Sequence, residues 1–323
     1  MLSIIIVNYR SWEVLKDCLT ALAAGGDEDL EVIVVDNCSD DGRLGAFAGQ
    51  FPSVRFIESD RNGGFAHGCN LGAGQAHGGH LLFMNPDVIP EPGQVSALLE
   101  IKLANPDVAI LGARQVDARG RTQKAFDVFP DLLTWYKSVK SLLRVLRPSR
   151  FPNPRRPGKG LLGVDWVSGS ILLIGRSEFE RLGRWCEEYW MYVEDCDLCY
   201  TARRQGLEVA FSHDVSFVHL HGGASRRTPE ITATTKAETV ISKHVFIRRH
   251  SSGMRRVLNH AIVASKSLAP LAVYGLLDLL TLRRVRPVNR RASKLPGLLR
   301  YYAGAPWSRG WCSPRAPLPE HFR

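Results

Sequence analysis

Short apolar runs alternate with segments of helical periodicity along the first hundred residues. Residues 3–7 (SIIIV) and 31–35 (EVIVV) are runs typical of strands buried on both faces of a parallel sheet, and residues 54–57 and 80–84 predict two further strands. Between them, apolar positions from Leu15 to Leu22 predict a helix, as do residues 71–76 and 92–104. This alternation predicts an α/β fold with a mostly parallel sheet.

Polar residues follow each of the four predicted strands. Ligands of open α/β sheets bind beyond the carboxyl ends of the strands, so polar residues at four such ends favour a nucleotide pocket over turn chemistry at each position. These residues are Asn8 and Tyr9, Asp36 and Asn37, Asn62 and Gly63, and Asn85 with Asp87.

Two common nucleotide-binding motifs are absent from the sequence. Residues 63–68 (GGFAHG) do not match G-x-G-x-x-G and follow the third strand rather than the first. The chain also contains no G-x-x-x-x-G-K-[ST]. Both observations disfavour a dinucleotide-binding Rossmann domain and a P-loop.

Residues 190–198 (WMYVEDCDL) place three carboxylates directly after an aromatic, apolar approach. Glu194, Asp195 and Asp197 would lie on the first turn of a helix that ends before Gly206. A helix N-terminus keeps a nearby carboxylate ionised and oriented, as a general base requires. A simple helix cap is the alternative interpretation.

Further candidates lie between and after these motifs. His219 and His221 share one face of a predicted strand, a spacing compatible with metal ligation, although a structural role in a turn is the alternative. Trp166, Ser168 and Gly169 are expected to line an acceptor site, and packing explains the tryptophan equally well.

Positive charge is concentrated at the C-terminus. The chain has a net charge of +10, and residues 251–323 hold 13 Lys and Arg against two acidic residues. The apolar run 268–282, interrupted by Pro270 and Asp278, is shorter than the roughly 20 residues of a spanning helix, and arginines follow it. We predict association with an anionic membrane surface, with packing onto the catalytic domain as an alternative. No recognised nucleic-acid-binding motif accompanies the charge, which disfavours a nucleic-acid partner.

Seven scattered cysteines and the absence of a recognisable signal peptide predict reduced thiols in a cytoplasmic protein. With the basic tail, this predicts a peripheral location on the inner face of the plasma membrane.

Five motifs together resemble those of family 2 inverting glycosyltransferases, most closely the rhamnosyltransferase-like branch. The resemblance covers about residues 1–230 and implies a GT-A-like catalytic domain over residues 1–250, followed by the tail 251–323. The motifs are residues 6–9 (IVNY), 34–39 (VVDNCS), 62–70 (NGGFAHGCN), 82–87 (LFMNPD) and 194–198 (EDCDL).

The resemblance implies a donor site. Asp36 would bind the nucleoside, and the pocket would also include Asn8, Tyr9, Asn62 and Gly63. Asp87 would hold a Mg²⁺ or Mn²⁺ ion that bridges the donor diphosphate. Asn85 would be a weaker ligand, because it presents an amide oxygen in place of a carboxylate.

The same resemblance assigns the remaining candidates. Asp195 would be the base that deprotonates the acceptor, with Glu194 and Asp197 orienting the acceptor or supporting the base. A histidine would complete metal or diphosphate binding, and His221 is preferred to His219. Arg226 would close over the phosphates, unless it belongs to a solvated basic run.

The expected reaction is inverting, metal-dependent transfer of L-rhamnose from dTDP-rhamnose to a lipid-linked or cell-surface glycan. Two alternatives stay open. A nucleotidyltransferase would use the same pocket but release pyrophosphate, and a non-catalytic scaffold would bind a nucleotide-sugar without transferring it.

Overall fold

A computed structural model describes residues 1–26, 29–220, 229–282, 284–292, 295–306 and 310–317. The strands are β1 (Leu2–Asn8), β2 (Leu30–Asp36), β3 (Arg55–Glu58), β4 (His80–Met84), β5 (Val88–Ile89), β6 (Val108–Val116), β7 (Phe126–Asp127), β8 (Leu161–Gly163), β9 (Trp166–Val167), β10 (Ile171–Gly175) and β11 (Glu208–His219). The helices are α1 (Trp12–Ala24), α2 (Leu44–Ala48), α3 (Phe65–Gly74), α4 (Gln94–Ala104), α5 (Lys137–Leu146), α6 (Arg176–Arg181), α7 (Glu194–Arg204), α8 (Pro229–His250), α9 (Gly253–Leu280), α10 (Arg286–Ala292) and α11 (Leu295–Gly304).

The chain divides into two compact units. Unit 1 comprises Met1–Phe129, Ser141–Cys186 and Glu194–Ala224, and it contains all the described strands. Unit 2 comprises Pro130–Lys140, Glu187–Val193 and Ser225–Arg323. The basic tail therefore lies within unit 2, and the domain boundary predicted after residue 250 falls between α8 and α9.

Unit 1 is built on a nine-stranded mixed sheet in the order β3-β2-β1-β4-β10-β6-β11-β5, with β8 paired to β11. Strands β3, β2, β1 and β4 run parallel, as the apolar runs predict, and β10 is antiparallel to both of its neighbours. The register aligns Asn8 with Asp36, so the ends of β1 and β2 lie side by side.

Both faces of the sheet are buried. Ile5 and Val7 of β1 point into a cluster that includes residues of α3 and α7, whereas Ile4 and Ile6 point into a second cluster that includes α1 and α4. Burial on both faces is the reason that β1 has a continuous apolar sequence rather than an alternating one.

Helix α3 begins at Phe65, earlier than the predicted start at Leu71. A Cβ atom on Gly68 would lie 2.7 Å from Val7 Cγ1, and one on Gly72 would lie 2.6 Å from Ile5 Cγ2. These glycines let the helix lie directly against β1. Because glycine is a poor helix former, these residues make the sequence before Leu71 look non-helical, and the start of the helix is predicted too late.

Helix α9 has 28 residues and continues through Pro270. Its N-terminal half buries Asn259, His260 and Val263. Because two of these buried residues are polar, the apolar pattern of the sequence does not extend over this part of the helix. Among the described helices, α9 is long and apolar enough to cross a membrane, and 17% of its apolar stretch is buried. The prediction that the apolar segment is too short to span a membrane is therefore wrong, because the helix that contains it is longer than the apolar run 268–282.

Aromatic stacking fixes α9 within unit 2. The imidazole of His260 stacks on Trp311 with ring centroids 4.1 Å apart, and on His244 of α8 at 5.0 Å. His244 Nε2 also lies 2.7 Å from the hydroxyl of Tyr302 on α11. The N-terminal half of α9 thus belongs to the core of unit 2.

Candidate active site

The ends of β1 and β2 hold Asp36 in one orientation. Asn8 Nδ2 donates to Asp36 Oδ1 at 2.9 Å, and the backbone N–H of Ser39 donates to Asp36 Oδ2 at 3.1 Å. Asn8 and Asp36 are buried, whereas Tyr9 is half-buried, with the guanidinium carbon of Arg10 5.5 Å from its ring centroid. Asp36 therefore lies at the sheet edge where the nucleoside contact is predicted.

The loop after β3 joins the same edge through Asn37. Its side-chain amide donates to Asn62 Oδ1 and to the carbonyl of Gly64, each at 3.1 Å. A Cβ atom on Gly63 would lie 2.4 Å from His67 Cδ2, and Gly64 has a φ of +88°. Glycine is thus required at both positions of this turn. The predicted donor residues of three loops therefore lie together at the carboxyl ends of β1, β2 and β3.

The turn after β4 places Asp87 against His219, the last residue of β11. His219 Nε2 lies 3.1 Å from Asp87 Oδ1, and the backbone N–H of Leu220 donates to the carbonyl of Asp87 at 2.9 Å. Both side chains are buried. Asn85 is half-buried, and its backbone N–H donates to the carbonyl of Ser170 at 3.0 Å.

His219 is therefore the candidate histidine found beside Asp87. His221 and Arg226 lie outside the described residues, so the preference for His221 and the phosphate role of Arg226 stay predictions. Within the described ranges, no three His, Cys, Asp or Glu side chains form a metal site. Asp87 and His219 offer one oxygen and one nitrogen ligand, so a cation held there would take its other ligands from substrate phosphates and water.

Gln115 of β6 links this pair to the turn before β10, and no sequence motif predicts it. Its Oε1 lies 2.8 Å from His219 Nδ1 and accepts a hydrogen bond from Ser170 Oγ at 3.0 Å. Ser170 Oγ in turn lies 2.9 Å from Ser168 Oγ. The available signal was an uncharged polar residue near the end of an otherwise mostly apolar strand, which no motif marks.

Helix α7 begins at Glu194, with Asp195 and Asp197 in its first turn, as predicted. The backbone N–H of Gly169 donates to Asp195 Oδ2 at 3.0 Å, and that of Cys196 donates to Asp195 Oδ1 at 2.8 Å. Each oxygen of this half-buried carboxylate thus has a backbone donor, and its direction is fixed.

The chain enters α7 through a strained turn. Tyr192 and Val193 have φ angles of +70° and +72°. A left-handed conformation is unfavourable for a β-branched valine and costs about 1–3 kcal/mol where it persists. Strain of this kind is often found next to functional residues, and here it immediately precedes the three carboxylates.

Burial raises the pKa of both Glu194 and Asp195. The neighbouring charge of Asp195 raises the pKa of Glu194 further, whereas backbone donors and the charge of Lys124 oppose the rise for Asp195. Glu194 Oε2 is buried and has no hydrogen-bond partner in the described part of the chain. The charged form is therefore better stabilised at Asp195 than at Glu194. The helix terminus alone predicts a low pKa for Asp195, which burial overrides.

Of the predicted acceptor residues, Gly169 lies against Asp195. Gly169 is buried, and a Cβ atom there would lie 3.4 Å from Asp195 Cβ. Trp166 is half-buried, its indole N–H donates to the carbonyl of Val128 at 3.1 Å, and Lys124 Nζ lies 5.2 Å from its ring. Trp166 thus has contacts of its own, as the alternative interpretation allows, and its role in an acceptor site stays a prediction.

A family model, Glycosyl transferase family 2, matches residues 3–165. The chain is 27% identical over 290 residues to the N-acetylglucosaminyl-diphospho-decaprenol L-rhamnosyltransferase of Mycobacterium tuberculosis, covering 83% of this chain and 91% of that protein. It is 24% identical to the rhamnosyltransferase WbbL of Escherichia coli, covering 68% of this chain and 84% of that protein.

Among solved structures, the chain is similar to the mannosyltransferase PcManGT from Pyrobaculum calidifontis in complex with GDP-Man and Mn²⁺. The TM-score is 0.52 at 17% identity, and the match covers 95% of this chain and 87% of that one. At this identity the likeness shows the fold, and it confirms the predicted GT-A-like α/β architecture.

Proposed function

Because the chain belongs to glycosyl transferase family 2, we propose a specific reaction for it: transfer of L-rhamnose from dTDP-rhamnose to a hydroxyl of a lipid-linked glycan. The sugar is supported by the similarity to two rhamnosyltransferases. The lipid-linked acceptor is supported by the name of the Mycobacterium tuberculosis relative, which denotes transfer to a diphospho-decaprenol-linked sugar.

The observation that carries the proposal is the environment of Asp195. Two backbone N–H groups fix its carboxylate, and burial raises the pKa of its neighbour Glu194, on which we place a proton. A carboxylate with a raised pKa is suited to accept the proton of an attacking hydroxyl at neutral pH. Asp195 is therefore the general base of the proposed reaction.

The proposed displacement inverts the anomeric centre. The acceptor oxygen attacks C1 of the donor sugar, the bond from C1 to the diphosphate oxygen breaks, and the hydroxyl proton passes to Asp195. A single in-line displacement of this kind requires one base on the side opposite the leaving group. Asp36, held by Asn8 and Ser39, would orient the nucleoside of the leaving group.

We propose that Asp87 and His219 hold a Mg²⁺ or Mn²⁺ ion, with Asn85 as a weaker ligand. The separation of 3.1 Å between Asp87 Oδ1 and His219 Nε2 suits two ligands of one cation. Such a cation, when bound, neutralises charge that develops on the leaving diphosphate. The cation would lie beyond the carboxyl end of β4, where Asp87 and His219 meet.

The donor proposal is tested by thermal unfolding with a panel of nucleotide-sugars in the presence of Mn²⁺. A ligand that binds the native state raises the melting temperature by an amount that grows with the logarithm of its concentration divided by its Kd. We expect dTDP-rhamnose to raise it more than UDP-glucose or GDP-mannose at equal concentration. A larger shift with either of these two would refute the proposed donor.

We also propose that α9 holds the protein peripherally on the anionic inner face of the plasma membrane. The C-terminal end of α9 exposes several leucines, and two exposed arginines, Arg284 and Arg286, follow it. Leucine side chains enter the interfacial region of a bilayer, and each arginine near an anionic surface contributes about 1 kcal/mol. Exposed leucines followed directly by exposed arginines therefore favour a membrane surface as the partner.

Point substitutions test this proposal better than a truncation, because the N-terminal half of α9 packs as core. Leu276 and Leu280 are 59% and 70% exposed. Each buried leucine is worth about 1.5–3 kcal/mol, so the double variant Leu276→Gln/Leu280→Gln should bind phosphatidylglycerol vesicles at least about tenfold more weakly in co-sedimentation.

Leu103→Gln provides the matched control, since Leu103 is a 58% exposed leucine on α4. This variant should bind vesicles like the wild type, and wild-type binding should weaken as salt rises. Undiminished binding by the double variant would move the membrane contact away from α9.

A further inference from the structure

The imidazole of His219 is held at both ring nitrogens. Nε2 lies 3.1 Å from Asp87 Oδ1, and Nδ1 lies 2.8 Å from Gln115 Oε1. His219 and Gln115 are 4% and 2% exposed, so neither contact is exchanged readily for water. Gln115 Oε1 also accepts the hydroxyl hydrogen of Ser170 at 3.0 Å, so the amide oxygen faces both side chains.

This arrangement selects one tautomer of His219. An amide oxygen only accepts hydrogen bonds, so the hydrogen of a neutral imidazole must lie on Nδ1. Nε2 then presents a lone pair towards the carboxylate oxygen of Asp87. Two such acceptors at 3.1 Å need either a proton or a cation between them. A cation bound by both atoms would take the place of that proton.

The spacing of the two atoms also fits shared coordination. Ligands at right angles on an octahedral cation, with bonds of about 2.1 Å, are separated by about 3.0 Å. The observed separation of Asp87 Oδ1 and His219 Nε2 is 3.1 Å. A metal-bound histidine commonly donates its other ring N–H to an acceptor that fixes its tautomer and orientation. Gln115 occupies this position.

We propose that Gln115 is a positioning residue that makes His219 Nε2 a cation ligand, an inference that rests on the proposed metal-dependent reaction. Gln115 is also bonded to Ser170, which contacts Ser168, and Gly169 between them donates to Asp195. One turn, residues 168–170, therefore supports both the cation ligands and the base.

Substitution of Gln115 separates this role from simple packing. Gln115 Nε2 is buried without a hydrogen-bond partner among the described residues, so Gln115→Met mainly removes the acceptor that faces His219 and Ser170. Gln115→Glu keeps an acceptor against Nδ1. Gln123→Leu is the matched control, because the Gln123 side chain donates to the backbone carbonyl of His219 at 2.9 Å rather than to its ring.

The measurement is Mn²⁺ binding by the full-length protein, followed by electron paramagnetic resonance of free Mn²⁺, alone and with dTDP. Loss of a residue that orients a metal ligand typically costs 10–100-fold in metal affinity, so we expect a loss of about this size for Gln115→Met. Gln115→Glu and Gln123→Leu should bind Mn²⁺ within about threefold of the wild type. Melting temperatures identify any variant that is merely unfolded.

Unchanged Mn²⁺ affinity in a folded Gln115→Met variant would overturn the proposal, as would a wild-type protein that binds no Mn²⁺. If Gln115→Met does not fold, the Gln115→Glu variant decides, because a large loss of Mn²⁺ affinity there contradicts a role as acceptor for Nδ1. Mn²⁺ binding that follows this pattern in a protein that transfers no rhamnose would support the role of Gln115 and refute the proposed reaction.

Discussion

Asp195→Asn is expected to lower the turnover number by about 100- to 10,000-fold, the range that a positioned general base contributes. Asparagine has nearly the same shape but cannot accept a proton from the attacking hydroxyl. The affinity for dTDP-rhamnose should stay within a few-fold of wild type, because Asp195 is bonded to Gly169 and Cys196 rather than to the donor residues. Initial rates with saturating donor and acceptor measure the effect.

Glu194→Gln provides the internal contrast. Because Glu194 is already protonated in the proposed state, the amide should retain most of the wild-type turnover. Asp214→Asn, at an exposed carboxylate that accepts from the backbone of Gly160, is a control for the chemical change itself. Substantial turnover by Asp195→Asn, or an equal loss in Glu194→Gln, would exclude Asp195 as the sole base.

Asp87→Ala is expected to reduce activity by about 100-fold or more, since a cation at a developing charge contributes several kcal/mol to the transition state. No practical concentration of Mn²⁺ should restore the variant. The wild-type enzyme should lose activity in EDTA and regain it when Mn²⁺ is added. Initial rates across a Mn²⁺ series measure both effects.

Asn85→Asp tests the same site in the opposite direction. A carboxylate at this position adds charge to the ligand set and should lower the Mn²⁺ concentration required for half-maximal activity. Full wild-type activity in the presence of EDTA would contradict a metal-dependent reaction. Basic residues such as Arg226 would then be the candidates for stabilising the diphosphate.

The sheet and the carboxylates of α7 follow from local sequence. A strand buried on both faces needs apolar side chains at nearly every position, and residues 3–7 and 31–35 show such runs. Glu194, Asp195 and Asp197 were identifiable because a helix start and an aromatic approach flank them. Each of these signals lies within about ten consecutive residues, where a periodicity argument is strongest.

Features that depend on contacts distant in sequence were not predictable. Gln115 acquires its role from His219 and Ser170, which lie 104 and 55 residues away along the chain. The start of α3 was concealed because Gly68 serves the packing of the helix against β1 rather than the helix itself. The pKa of Asp195 depends on its burial in the folded chain and on the backbone donor Gly169, which lies 26 residues away along the chain.

The central claim is that this protein is an inverting rhamnosyltransferase that uses Asp195 as its base. The most direct test incubates the full-length protein with dTDP-rhamnose, Mn²⁺ and a polyprenyl-diphosphate-linked N-acetylglucosamine, and determines the products by NMR spectroscopy. We predict release of dTDP and a rhamnoside whose anomeric configuration is opposite to that of the donor. A rhamnoside with the donor configuration, release of pyrophosphate, or no transfer to this acceptor would contradict the account.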